Sequence, residues 1–462
     1  MGLLQVFLRA DHKNSIHVLT SLILLSPSFQ LLLAAPRNEA LIVGGACEGT
    51  NSSMRTTDVP PKWTQFGDTT GSMAGYTNLF RQKFIIANAA LEKNGWVVDH
   101  RYGNERWEKL RPDGKIFDSK EFLKNLSDKV QTLNAGDQFF LGITTHGSEP
   151  PHHAICAGDR MISITELAPA LSALRMKGVK VAVLDDSCFA GGTVDELKGV
   201  GVCTMSGTNT NTTGSGAAQI WNGIFGLGFR SGTDLSQLGY KTIPSGTADV
   251  NGDDRISAAE AFQFARLHSH EDLFPQTSDC LFRFSNLRTL INGASELLDQ
   301  NGYQLAITHY WNNRAEAPTH GALCALKQIP EEFEKIFQLA DSVQLAWVAK
   351  SMTVLGYSDG FDFVSKLDFV RKASAALEQL ASDAKADRDA ADRAIANGQG
   401  VPSDMKSRLR KIDLQATPLK EGIMKRLRPL IHMACKLEKI HTPKIERPCE
   451  DFKLFPKRGP SS

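Results

Sequence analysis

Two short sequences contain a nucleophile and a base, and each follows a run of apolar residues. Asp185–Gly192 (DDSCFAGG) follows the aliphatic run Val179–Leu184, and His146 follows Gln138–Thr145. Runs of this kind are typical of strands buried on both faces of a parallel sheet. Because ligands bind beyond the carboxyl ends of such strands, we expect His146 and Cys188 to lie at one site. A thiol beside an imidazole suggests nucleophilic chemistry.

Each of these two residues also has a simpler interpretation. A lone cysteine that closes a strand is more often a small buried apolar group, and a lone histidine is usually packed or solvated. Glycine follows both residues closely, at Gly147 and at Gly191 and Gly192, and it permits close backbone approach. The polar residues before Cys188 also fit a solvated strand end better than a closed apolar core. These features favour a functional site at His146 and Cys188 over two separately packed side chains.

The sequences Thr145–Ser148 and Asp186–Gly192 resemble the His-Gly and Asp-Ser-Cys-x-x-Gly motifs of caspase-like cysteine peptidases. That group includes metacaspases, legumains, gingipains and bacterial caspase-domain proteins. The resemblance covers roughly residues 38–290. It implies an α/β fold with a mostly parallel sheet and helices on both faces. It also implies an endopeptidase that acts on protein or peptide substrates and needs no cofactor for catalysis.

The roles at such a site follow from the chemistry of thiols. Cys188 would attack as a thiolate, and since free thiols titrate near about pH 8.5, a neighbouring imidazolium helps to hold that form. His146 would be this partner and would later protonate the leaving amine. The backbone N–H groups of Gly147 and Cys188 are the expected oxyanion donors. The rival bases, His152 and His153, follow two prolines on an expected loop, which favours His146 at the strand end.

Asp186 is the candidate residue for substrate binding. It lies two residues before Cys188, so both side chains point to the same side of an extended strand. In metacaspases the matching aspartate lines the pocket for a basic residue, and the resemblance therefore implies cleavage after Arg or Lys. The alternative is a carboxylate that only fixes a loop. Asp185 points to the opposite face and is the weaker candidate, while Phe189 and Ala190 differ from the small or polar residues common in the family.

The segment 249–260 has the pattern of a twelve-residue calcium loop. The expected ligands are Asp249, Asn251, Asp253, the carbonyl of Arg255, and Glu260. Asp254 stands where such loops normally have glycine, although aspartate tolerates the left-handed conformation better than most residues. The alternative is an acidic turn that caps the helix expected from residue 258. A bound Ca²⁺ would have a structural role.

Composition argues against a nucleic-acid partner, and the N-terminal sequence suggests the localisation of the protein. The chain has 462 residues, a net charge of +1 and no long basic run, so we expect no nucleic-acid partner. Residues 1–36 combine Arg9 and Lys13 with an apolar stretch that is short for a membrane span, the pattern of an export signal. No later segment is long enough to cross a bilayer. An exported protein, whether periplasmic, in the cell envelope or secreted, is expected.

The eight cysteines fit an exported protein. If Cys188 is a free nucleophile, seven cysteines remain, and an odd number cannot all pair within one chain. Cys435 and Cys449 are the expected local bridge, although the connectivity cannot be read from sequence.

Strand-like and helix-like patterns alternate through residues 37–300, as expected for one α/β domain. From about residue 330 this alternation gives way to patterns typical of long helices. Apolar residues between Leu367 and Ala384 repeat at spacings of three and four, which indicates either a coiled-coil-like seam or an ordinary core-facing stripe. Gly398–Pro402 breaks the pattern, a second helix follows to about residue 440, and the tail from 447 is expected to be irregular. The helical region 330–462 would pack on the first domain or bind a helical partner.

Three hypotheses follow. The first is an exported cysteine endopeptidase that uses Cys188 and His146. The alternative is a catalytically silent caspase-like module for binding or assembly, with the helical region as its interacting part. A calcium-dependent structural protein is the third, and it leaves both strand-end motifs unexplained. The intact pair of Cys188 and His146 favours the first hypothesis, because a module without catalysis is free to lose either residue.

Overall fold

The structure is a computed structural model. It describes residues 35–45, 83–84, 86–102, 116–212, 219–227, 248–268, 274–280, 287–298, 320–354, 362–444 and 446–455. The predicted export signal lies outside these ranges, apart from residues 35 and 36. The chain divides after Arg37, and the elements below all belong to the unit that begins at Asn38.

Five parallel strands form the central sheet. The described strands are β1 (Asn38–Gly44), β2 (Val97–Tyr102), β3 (Gln138–Thr144), β4 (Ala154–Cys156), β5 (Met161–Ser163), β6 (Lys180–Asp185), β7 (Cys203–Ser206), β8 (Ile256–Ser257) and β9 (Lys453–Phe455). The sheet has the order β2-β1-β3-β6-β7, and every neighbouring pair in it is parallel. The β4–β5 and β8–β9 pairs are separate antiparallel ribbons. The predicted mostly parallel sheet is confirmed.

Helices cover the sheet and continue into the C-terminal region. The described helices are α1 (86–93), α2 (Ser119–Thr132), α3 (Ile164–Met176), α4 (Gly191–Glu196), α5 (Gln219–Asn222, continued by a π-helical turn at Gly223–Leu227), α6 (Ala258–His268), α7 (Leu287–Leu298), α8 (His320–Gln338), α9 (Ser342–Val354), α10 (Phe363–Ala396), α11 (Ser403–His441) and α12 (Pro448–Asp451). Asp118 accepts hydrogen bonds from the N–H groups of Lys120 and Glu121. Asp118 is therefore the N-cap of α2.

The core lies on both faces of the sheet, because successive strand residues point to opposite sides. On one face Leu41, Phe139 and Val183 pack with apolar residues of α2 and α3. On the other face Ile42 and Phe140 pack with α1, α5 and α6. Burial on both faces explains why these strands read as continuous apolar runs instead of alternating ones.

A second core belongs to the helical region and is formed by residues of α7 to α11. Leu367, Val370 and Leu377 of α10 are buried in it, so the ordinary core-facing interpretation of the apolar repeat is confirmed. α10 and α11 pack against each other as a hairpin, and the break between them falls at the predicted position. The structure is therefore α/β with a helical C-terminal region.

Residues 446–455, which we call the C-terminal strap, return to the α/β core. Phe452 stacks on Trp96 with ring centroids 5.7 Å apart, and the indole N–H of Trp96 donates to the Leu454 carbonyl at 2.8 Å. Gln138 at the start of β3 exchanges hydrogen bonds with the backbone of Lys453. The prediction of an irregular tail is wrong for residues 448–455. Their order depends on partners several hundred residues away, which a local pattern does not show.

Disulfides connect the C-terminal part of the chain to the α/β unit. Cys203 in β7 pairs with Cys449 in the strap, and Cys280 pairs with Cys435 in α11. Cys156 is also disulfide-bonded. The predicted Cys435–Cys449 bridge is wrong. Cys435 lies on the face of α11 that packs into the helical core, whereas Cys449 is buried against the sheet.

The Cys203–Cys449 bridge closes a long loop, so its loss should weaken the fold. We expect replacement of both residues by alanine to lower the free energy of unfolding by about 2–5 kcal/mol. Denaturant unfolding under non-reducing conditions measures this. Cys324→Ala is the control, because Cys324 is exposed and not in a disulfide, and it should change stability by less than about 0.5 kcal/mol. Equal stabilities of the two variants would show that the strap does not depend on the bridge.

Asp279 holds the first turn of α12, where its carboxylate accepts the N–H groups of Cys449 and Glu450, both at 3.0 Å. Loss of water around this carboxyl group outweighs these bonds and raises its pKa to about 7. Between about pH 4 and pH 7 the folded state thus keeps a proton that the unfolded chain has released. The contribution of Asp279 to stability is greatest at low pH and falls as the pH rises through 7.

Asp279→Asn should remove this pH dependence. Relative to the wild type, the variant should gain free energy of unfolding as the pH rises from 4 to 7, by up to about 1.4 kcal/mol per pH unit. Urea unfolding across that range measures the difference. Asp451→Asn is the control, since Asp451 is exposed on the same helix. A difference that stays constant with pH would contradict the role assigned to Asp279.

Candidate active site

The carboxyl ends of β3 and β6 are neighbours in the sheet, and they bring the two sequence motifs together. Ile143 of β3 lies opposite Asp185 of β6, and the N–H of Asp186 donates to the Ile143 carbonyl at 2.9 Å. The segments that follow these strands contain His146 and Cys188. Their proximity is a consequence of the parallel register.

Gly147 is the point of closest backbone approach between the two segments. A Cβ atom at this position would lie 2.1 Å from the carbonyl oxygen of Cys188 and 2.6 Å from Oγ of Ser187. Such distances are far inside van der Waals contact, so no other residue fits without moving the backbone of Cys188. Glycine here allows the His146 segment to lie directly against the Cys188 segment.

Cys188 stands at a tight turn between β6 and α4. It is half-buried and not in a disulfide. Phe189, the next residue, has φ of +57° and donates its N–H to the Thr212 carbonyl at 2.8 Å. A left-handed conformation costs an aromatic residue about 1–3 kcal/mol and is found most often at functional sites. Phe189 therefore shapes the turn that presents the thiol of Cys188.

His146 is half-buried at the end of β3. Its carbonyl accepts the N–H of Cys156 at 3.0 Å, which ties its backbone to the β4–β5 ribbon. Burial, together with the positive charge of Lys83, lowers the pKa of the His146 imidazole below its ordinary value. The neutral imidazole, which is the form that accepts a proton from a thiol, is thus favoured at neutral pH.

His153, the rival base, is buried and 3% exposed. Its Nε2 lies 2.9 Å from Oδ2 of Asp185, and its Nδ1 lies 3.2 Å from the Ser148 carbonyl. Burial acts to lower the pKa of His153, but the hydrogen bond and charge of Asp185 outweigh it and raise the pKa. Both ring nitrogens face acceptors, so His153 is committed to a structural pair. His152 is exposed.

Asp185 anchors the turn that precedes Cys188. It is fully buried, and besides His153 it accepts the N–H of Ser187 at 2.9 Å and the hydroxyl of Thr193. Sequence reasoning ranked Asp185 below Asp186 and did not connect it to His153. The available signal was its position at the end of the apolar run Val181–Leu184, because a carboxylate that closes a buried strand requires a partner.

Asp186 is also buried, and its partner is Lys83, which sequence reasoning missed. The ammonium of Lys83 lies 3.0 Å from Oδ2 of Asp186, and the two side chains are 3% and 4% exposed. Burial outweighs the charge of Lys83 and raises the pKa of Asp186 to about 6. At neutral pH the carboxyl group is therefore largely ionised and compensated by a cation of the chain itself.

The segment 249–260 folds as a turn of side-chain-to-backbone hydrogen bonds. Asp249 accepts the N–H groups of Gly252 and Asp254 at 2.8 Å, and Asp254 has φ of +59°. Glu260 and Ser257 form a reciprocal cap at the start of α6. Within the described ranges, no group of three or more His, Cys, Asp or Glu side chains is arranged to hold a metal. The calcium ligands therefore remain a prediction, beside a helix cap that the structure does show.

Comparisons with known proteins do not assign a family. No protein-family model matches the chain, and no curated protein matches it. A solved structure of protein GSU0716 from Geobacter sulfurreducens is 18% identical, with a TM-score of 0.22. That match covers 33% of this chain and 51% of the Geobacter protein, so this chain spans about half of its length. A likeness of this size carries no argument about fold or function.

Asp185→Asn should destabilise the protein strongly. Removing one member of a buried ion pair costs about 3–5 kcal/mol, because the other member is left uncompensated. The pKa of His153 is raised in the folded state, so the pair stabilises fully below pH 6.5, the ordinary value, and this stabilisation is lost as the pH rises through the raised pKa. Urea unfolding at pH 5.5 and pH 9 should show the larger loss at pH 5.5.

Asp128→Asn is the control for this experiment. Asp128 forms an exposed ion pair with Lys124 one helical turn away, and exposed pairs of this kind contribute little to stability. A loss in Asp185→Asn as small as in the control, or one that is larger at pH 9, would contradict a structural pair between His153 and Asp185.

Proposed function

We propose that this protein is a cysteine endopeptidase of caspase-like fold, in which Cys188 is the nucleophile and His146 the base. One observation carries the proposal. The parallel register of β3 and β6 places the two residues on adjoining strand ends, and Gly147 packs directly on the backbone of Cys188. The sheet order, with helices on both faces, is consistent with the fold that the resemblance implies.

The proposed reaction uses groups on these two segments. His146 takes the proton of the Cys188 thiol, and the thiolate attacks the carbonyl carbon of the scissile peptide bond. The N–H groups of Gly147 and Cys188 would stabilise the oxyanion. His146 then gives its proton to the leaving amine, and water hydrolyses the thioester to free the carboxyl product and the thiol. The lowered pKa of His146 supports its role as the proton acceptor.

Two arguments support His146 over His153. The ring nitrogens of His153 are both occupied by acceptors, Asp185 and the Ser148 carbonyl. A histidine held in that way would have to break a buried ion pair before it could accept a proton from Cys188. The lowered pKa of His146 keeps its imidazole neutral at neutral pH, in the form that accepts a proton.

Cleavage after Arg or Lys is the specificity that we propose for Asp186. The carboxylate lies two residues before Cys188 on the same segment, and its pKa of about 6 leaves it ionised at neutral pH. A buried carboxylate attracts a guanidinium or ammonium group more strongly than an exposed one.

An exported protein with a structural calcium loop remains part of the proposal. The Cys203–Cys449 and Cys280–Cys435 disulfides support an oxidising compartment, because such bonds are rare in reducing ones. The loop is also tied to the strap, since β8 pairs with β9 and Lys453 lies 3.4 Å from Asp253. Calcium bound by Asp249 to Glu260 would brace this contact.

Among the described helices, none has both the length and the apolar composition that crossing a bilayer requires.

The proposal is tested with fluorogenic peptides that end in Arg, Lys, Asn or Asp before the cleaved bond, in calcium and in chelator. We expect turnover after Arg or Lys, reduced at least about 10³-fold in Cys188→Ala and in His146→Gln. If the calcium loop is occupied, chelation should lower the Tm of the wild type. Cys324→Ala should retain full activity, because Cys324 is exposed on the helical region.

Three other outcomes of the peptide assay would contradict parts of the proposal. Turnover after Asn or Asp would keep the enzyme and remove the substrate role of Asp186. Activity that persists in Cys188→Ala would contradict the nucleophile. No turnover of any peptide, together with no alkylation of Cys188 by iodoacetamide, would favour the silent binding module instead.

A further inference from the structure

Lys83 is a buried cation that the proposed reaction does not use. Its side chain is 3% exposed, and its backbone is held in place because the Lys83 carbonyl accepts the indole N–H of Trp221 at 2.9 Å. Trp221 is fully buried in the core on the same side of the sheet as α1. The backbone that carries this ammonium is therefore anchored to the core.

The partner of this cation lies on the segment that carries Cys188. Oδ2 of Asp186 is 3.0 Å from the Lys83 ammonium. Its other oxygen, Oδ1, lies against Gly207, where a Cβ atom would come within 2.4 Å of it. Asp186 is thus enclosed by backbone on one side and by Lys83 on the other.

The charge of Lys83 also reaches the candidate base. It contributes, after burial, to the lowering of the His146 pKa. Lys83 therefore pairs with Asp186 on one strand-end segment, and its charge extends to His146 on the other.

A buried ion pair is a poor way to gain stability. Desolvation of the two charges offsets most of their attraction, and an apolar pair of similar size often stabilises as well or better. The ion pair of Lys83 and Asp186 lies on the segment that carries Cys188. Because stability alone does not explain this pair, we consider a role in the selection of substrates.

We propose that Lys83 is a specificity-determining residue of this site, whose ammonium occupies the acidic subsite formed by Asp186 and competes with the basic side chain of a substrate. The inference rests on the proposed peptidase function and concerns the regulation of the same site. In the wild type the pair has no net charge, so a substrate guanidinium must displace Lys83 to reach the carboxylate. Removal of the competing cation leaves a buried carboxylate whose charge a basic ligand can compensate in place of Lys83.

Lys83→Met tests this, because methionine keeps the apolar volume of the side chain and removes its charge. At pH 8 we expect the ratio of kcat/KM for peptides ending in Arg to that for peptides ending in Leu to rise at least about tenfold, the effect of removing one competing charge contact. Lys83→Arg is the matched control and should keep the wild-type ratio. An unchanged ratio in Lys83→Met would overturn the proposal.

A second measurement does not depend on activity. Agmatine, a small guanidinium compound, should raise the Tm of Lys83→Met/Cys188→Ala more than that of Cys188→Ala alone. The rise should disappear when Asp186→Asn is added, a change that also removes the uncompensated charge and lets the variant fold. Equal responses in all three proteins would overturn the inference about Lys83.

The two readouts separate the two proposals. If no variant cleaves any peptide but agmatine stabilises the Lys83→Met protein through Asp186, the acidic subsite stands and the peptidase proposal fails. If peptides are cleaved through Cys188 but neither readout responds to Lys83→Met, the peptidase stands and Lys83 has no part in specificity.

Discussion

The geometry around Cys188 depends on one buried carboxylate, that of Asp185. It accepts the imidazole N–H of His153, the backbone N–H of Ser187 and the hydroxyl of Thr193, and so joins three separate parts of the chain. Because it has no exposed surface, each of these bonds replaces water that a carboxylate would otherwise require. These hydrogen bonds of Asp185 fix the turn that carries Cys188. The turn therefore tolerates the left-handed conformation of Phe189.

The strand end carries two adjacent aspartates whose side chains have different buried partners. Asp185 is compensated by His153, a residue that lies on the β3 side of the site. Asp186 is compensated by Lys83, which comes from the chain just before α1. The first pair positions the backbone of Cys188, whereas the second holds a buried cation whose charge helps to lower the pKa of His146. Alternation of side chains along an extended segment explains how neighbouring residues come to serve these separate functions.

The C-terminal part of the chain is integral to the α/β unit. The strap supplies Phe452 and Leu454 to the core beneath the sheet, and the Cys203–Cys449 disulfide joins it to the edge strand β7. The helical hairpin of α10 and α11 is connected to the same unit through Cys280–Cys435. These links act on the amino ends of the strands and on the edge of the sheet. They stabilise the sheet whose strands precede the segments that contain His146 and Cys188.

The sequence by itself determined the parts of this protein that local pattern controls. Apolar runs identified the strands that precede His146 and Cys188, and glycine after each residue indicated close backbone approach, which Gly147 shows. Tertiary structure alone decided the partners of the buried charges: His153 pairs with Asp185, and Lys83 pairs with Asp186. It also decided the course of the C-terminal strap. Such pairings join residues tens to hundreds of positions apart, and burial makes them necessary without any periodicity in the sequence to reveal which residues meet.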